Sequence, residues 1–97
     1  MRVVLTEAAR RYLTRETGLA DPGVFILQAE CICGGVRPEI SLRSKAEVSP
    51  VLLEAYFEEI ASVGSASVFL DKRLKDHFGG SLTIDVDNAF TQLKLMA

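Results

Sequence analysis

The segment that most constrains this chain is a strand that runs into two thiols. Val24-Phe25-Ile26-Leu27 is an apolar, β-branched and aromatic run, introduced by an Asp21-Pro22-Gly23 turn and leading toward Cys31-Ile32-Cys33-Gly34-Gly35. Continued without a break, the strand places Phe25, Leu27, Ala29, Cys31 and Cys33 on one face, with Val24, Ile26, Gln28, Glu30 and Ile32 on the other. Gln28 and Glu30 mark the second face as wet at that end, which turns both thiols toward the interior. A bulge or bend near Cys31 reverses that, and Gly34-Gly35 signals a departure from regular backbone there. These are the only two cysteines in the sequence. With one residue between them in an extended segment, both sulfurs fall on the same side, about 7 Å apart. Such a pair suits a soft metal or iron–sulfur cluster, a redox dithiol, or two small core hydrophobes.

The rest of the chain alternates between strand and helix patterns. Val3-Val4-Leu5 reads as a short strand, and Thr6 caps a helix over residues 7–17 that presents Ala9, Tyr12 and Leu13 on one face. Glu39-Ile40-Ser41-Leu42-Arg43 alternates as a half-buried strand. Ser49-Pro50 starts a second helix, and Leu52, Leu53, Tyr56, Phe57 and Ile60 continue at helical spacing, so a helix is favoured across residues 54–63. Ala66 to Leu70 is a strand, Asp71 to Phe78 a short helix or helical turn closed by Gly79-Gly80, and Leu82–Val86 with Leu93–Leu95 a hairpin across an Asp87-Asn88 turn. The expectation is one α+β domain over residues 1–97, a mostly antiparallel sheet or small sandwich with an N-terminal helix packed on it.

Composition excludes several classes. With 97 residues, 48% hydrophobic and 25% charged, the chain has the make-up of a single globular domain. A net charge of −2 gives no footing for nucleic acid or an anionic membrane. No apolar run approaches the roughly 20 residues that span a bilayer, and the N-terminus lacks a signal-peptide pattern. A cytoplasmic location, where thiols stay reduced, is the expectation. A Cys31–Cys33 disulfide closes too small a ring to act as a staple, leaving a redox switch as its use.

Catalytic groups are sparse, and an enzyme is not expected. His77 is the only histidine, flanked by Asp76 and Phe78 with no serine or cysteine beside it, and reads as an exposed helix residue. Asp85 with Asp87, and Glu58 with Glu59, lie on predicted wet faces, where nothing raises a carboxyl pKa toward acid catalysis. The paired glycines lack the lysine and strand–loop–helix setting of a phosphate loop. Arg10, Arg11 and Arg15 read as a solvated helix face.

Several segments in order resemble one family. Val3-Val4-Leu5-Thr6-Glu7-Ala8-Ala9, the strand into Cys33-Gly34-Gly35, Ile40-Ser41-Leu42, Ser67-Val68-Phe69-Leu70-Asp71, and the later Leu82-to-Val86 and Phe90 segments are similar to the HesB-like, or A-type, iron–sulfur assembly domain. The nearer likeness is to small HesB-related proteins with a Cys-Cys or Cys-selenocysteine pair. The resemblance implies a HesB-like fold and assigns Cys33 to the family's first cluster-ligand position. Cys31 stands where the family usually has glycine. The A-type carriers add a C-terminal Cys-x-Cys, whereas this sequence has no third cysteine. The resemblance further suggests that residues 54–63 are partly extended.

The reading that follows is thiolate binding of an iron–sulfur cluster or iron by Cys31 and Cys33, in iron–sulfur cluster assembly. Structural zinc takes four ligands, so two thiols per chain require a homodimer or an assembly partner protein to complete the set. The alternatives are a dithiol redox or persulfide-handling protein, and a non-catalytic HesB-like fold with buried cysteines.

Overall fold

In the computed structural model, residues 1–30, 36–87, 89 and 92–96 are described. They form an α+β fold of seven strands in two sheets sharing one core. β1 (Arg2–Leu5), β6 (Ser81–Asp87) and β7 (Gln92–Met96) make a sheet of order β1-β6-β7, while β2 (Pro22–Glu30), β3 (Val36–Ser44), β4 (Phe57–Val63) and β5 (Ala66–Asp71) make one of order β3-β2-β5-β4. The sheets are mixed. β1–β6 and β2–β5 pair in parallel, and the other three pairings are antiparallel.

The core follows from strand periodicity. Leu82 and Ile84 from β6, Val24 and Ile26 from β2, and Val68 and Leu70 from β5 meet between the sheets, joined by Ala9 and Leu13 from the helix. The face of β2 that carries Val24 and Ile26 is therefore the deeper one at this end of the strand. Val24 and Ile26 are fully buried, and Phe25 on the other face is nearly so. The continuous apolar run reports a strand covered on both sides, as central strands with parallel neighbours are. On its own face of β2, Phe25 stacks on Phe69 with ring centroids 5.1 Å apart and meets Phe57 edge-on at 5.3 Å.

The N-terminal helix starts as expected but does not stay regular. α1 (Glu7–Arg11) continues into a π-helical segment, Tyr12–Glu16. Thr6 Oγ1 accepts the Ala9 N–H at 3.1 Å and donates to Asp85 Oδ1 at 2.7 Å, which ties the cap to β6. Thr14 Oγ1 donates back to the Arg10 carbonyl at 2.8 Å, a local bond that competes with the helical ladder just where it widens. Ala9 and Leu13 are buried, while Tyr12 is only half-buried.

The helix favoured across residues 54–63 is corrected. α2 (Pro50–Tyr56) ends at Tyr56, and Phe57–Val63 is β4, with a register shift between Glu59 and Ala61. Phe57 is drawn into the aromatic cluster and the backbone pairs with β5, which outweighs the helical spacing. α2 itself buries no residue. Of the short helix or helical turn expected from Asp71 to Phe78, the structure has the helical turn: a 3₁₀ turn, Lys72–Leu74, followed by turns to Gly79 and Gly80, whose φ values of 62° and 96° suit glycine. The hairpin of β6 and β7 is present as expected, although Asn88 in its connection lies outside the described residues.

Candidate functional site

The sequence singles out Cys31 and Cys33, and both lie outside the described residues, as do Gly34 and Gly35. What the described residues fix is the pair of anchors. Glu30 and Val36 are register partners at the end of the β2–β3 ladder, and the sequence between them is Cys31-Ile32-Cys33-Gly34-Gly35. Opposed residues in an antiparallel ladder have Cα atoms about 4.5–5.5 Å apart. The backbones of the two residues that bracket both cysteines in sequence are thus held close together.

Beside that end of β2 stands an acid–base pair that sequence reasoning missed. β5 stops at Asp71, one residue past its last partner in β2, Leu70 against Ile26. Just past that pairing a side chain reaches back to β2: Asp71 Oδ2 accepts the Gln28 N–H at 3.4 Å. The carboxylate also caps the 3₁₀ turn through the Arg73 N–H at 2.9 Å and takes the Arg73 guanidinium at 2.7 Å from Nη2 and 3.1 Å from Nε. Asp71 is 4% exposed and Arg73 65% exposed at the side chain, so the acid is buried and the base reaches solvent. The guanidinium holds the Asp71 carboxyl below its ordinary value, against the opposing effect of burial. Such a carboxylate is an ionised structural acceptor at neutral pH, unsuited to general-acid work. No local pattern marks it, because Gln28 and Asp71 are 43 residues apart.

The other candidates separate. His77 is exposed in a turn, not a helix, with its ring edge-on to Phe78 at 5.0 Å. Asp85 accepts from Thr6 Oγ1 and from the Val86 N–H, and these bonds lower its pKa. Asp87 accepts the Ala89 N–H at 3.0 Å in the following turn. Glu58 and Glu59 project from the outer strand β4, in the wall of a cavity of about 500 Å³. Among the described residues, no group of three or more His, Cys, Asp or Glu side chains could hold a metal ion.

A seam of about 580 Å³ opens between the outer strands β3 and β7, with Tyr12 at its side. A second cavity of about 420 Å³ shares Arg37, Pro38 and Leu95 with it and extends the groove to His77 and Phe78. Neither was expected from sequence, since it depends on how two sheets meet. No described helix is long and apolar enough to cross a membrane. Comparison with protein-family models, curated proteins and solved structures finds no match to this chain.

Proposed function

We propose that the protein binds an iron–sulfur cluster or iron through the thiolates of Cys31 and Cys33 and serves in cluster assembly, with the metal as cargo. The observation that supports this is the pairing of Glu30 with Val36, the two residues that bracket Cys31 to Gly35 in the sequence. Two soft donors so tethered lose less freedom on binding a shared ion than two donors on a free chain. The donor set fits half of a four-thiolate site. Two thiols per chain fill half of a four-ligand set, so the reading calls for a second protomer or an assembly partner. Iron and sulfide, when bound, supply the cluster chemistry. The chain's own part is to present two deprotonated sulfurs.

Anaerobic reconstitution with ferrous iron and sulfide tests this. The expected result is a thiolate-to-iron absorption band, about half a cluster per chain and a shift to dimer or partner complex, because a ligand that binds only the assembled state favours it by mass action. Cys33→Ser is expected to abolish the band. Equal iron uptake by the Cys31→Ser/Cys33→Ser variant would show that the thiols are not the site.

A further inference from the structure

The hydrogen-bond parity of β3 identifies a second feature, independent of the thiols. The Lys45 N–H donates to the Asp21 carbonyl at 2.9 Å, and Pro22 is the register partner of Ser44. By the period of an antiparallel ladder, Gly23–Arg43, Phe25–Ser41, Leu27–Glu39 and Ala29–Arg37 are then the hydrogen-bonded pairs. The backbone groups of Pro38, Ile40 and Leu42 therefore point away from β2. β3 is an outer strand, and these groups face the seam with no described partner. Pro38 fits this parity, because its missing N–H falls on the unpaired side. Across the seam the same argument applies to β7. Thr6 N–H bonds the Ile84 carbonyl, so the even residues of β6 serve β1, the odd ones serve β7, and Leu93 and Leu95 are left with outward backbone groups.

We propose that β3 accepts an added strand from a partner protein: an extended segment with apolar residues toward the groove and acidic residues at its two ends. The apolar requirement comes from Ile40 and Leu42, half-buried beside Leu93 and Leu95 in the groove. The acidic requirement comes from the opposite face of β3, where Arg37 and Arg43 are exposed six residues apart and Lys94 of β7 lies at the rim. Glu39 lies between them and is held by Arg37 at 2.8 Å. A second copy of the chain is disfavoured as occupant. The two-fold pairing of β3 with itself that overlaps fully is centred on Ile40 and sets Arg37 against Arg43 twice. An acidic-ended strand replaces both repulsions with attractions. Recognition of this kind takes affinity from the main chain and specificity from alternate side chains.

The test uses two probes, the peptides Glu-Val-Thr-Ile-Thr-Val-Glu and Lys-Val-Thr-Ile-Thr-Val-Lys, with capped ends. Antiparallel to residues 37–43, the first sets its glutamates against Arg43 and Arg37 and its apolar residues against Leu42, Ile40 and Pro38. Titration calorimetry at low ionic strength is expected to show the acidic peptide binding about tenfold tighter. Amide hydrogen exchange should slow at Ile40 and Leu42 on saturation. In the Arg37→Glu/Arg43→Glu variant the preference should reverse. Equal binding of both peptides to the wild type, absence of binding into the millimolar range, or binding without slowed exchange at Ile40 and Leu42 would each overturn the proposal, whatever the variant does.

Discussion

Replacing Asp71 with asparagine tests whether a side chain really completes the sheet where β5 stops. The substitution keeps shape but leaves one carbonyl oxygen where two carboxylate oxygens accept the Gln28 N–H, the Arg73 N–H and the guanidinium. At least one of these donors loses its acceptor. A hydrogen bond to a charged group contributes about 1.5–3 kcal/mol. Because Arg73 is largely exposed, the ion-pair part adds at most about 1 kcal/mol. The expected loss at pH 7 is about 2 kcal/mol, which for a domain of this size is a fall in Tm of roughly 8–16 °C. The pH dependence gives a second reading. The carboxyl sits below its unfolded value, near 3.9, so on acidification the unfolded chain takes up the proton first. The stabilisation is complete above that value and is lost as pH falls through the lower folded one. Urea unfolding between pH 7 and 3 should therefore show the gap between wild type and Asp71→Asn narrowing in acid. A gap that stays constant with pH, or no loss at pH 7, would refute the assignment.

Two further substitutions probe the fold. A Cβ on Gly23 would come within 2.8 Å of the Phe25 ring and 3.0 Å of Lys45 Cγ, so Gly23→Ala should cost about 1–3 kcal/mol in chemical denaturation. Thr6→Val removes both the cap of α1 and the bond to Asp85. It should destabilise by about 1 kcal/mol and, in an NMR titration, move the Asp85 carboxyl up toward its ordinary value.

What could be read from the sequence was set by local signals. The alternation in Leu82–Val86 and Glu39–Arg43, the Thr6 cap and the Ser49-Pro50 helix start all report short-range physics, and each is realised. The strand at Phe57–Val63 was hidden because Tyr56, Phe57 and Ile60 also fit helical spacing, and the register shift between Glu59 and Ala61 breaks the two-residue period. In β2, Gln28 and Glu30 speak only for the far end of their face, and nothing local reports that Val24 and Ile26 on the same face lie in the core shared with the other sheet. The parallel pairings, the Asp71 acceptor and the β3–β7 groove depend on residues distant in sequence, for which no local pattern exists. Of the candidate site, the two cysteines were evident from their rarity alone, and the closeness of Glu30 to Val36 is what the fold adds.

The central claim is that Cys31 and Cys33 are available to bind metal. Thiol titration of the reduced protein, first native and then in denaturant, tests it most directly. The account predicts that at least one thiol per chain reacts in the native state at a rate close to that of the unfolded chain, and that ferrous iron with sulfide suppresses the reaction. Two thiols silent in the native protein and both reactive once it is unfolded would contradict it.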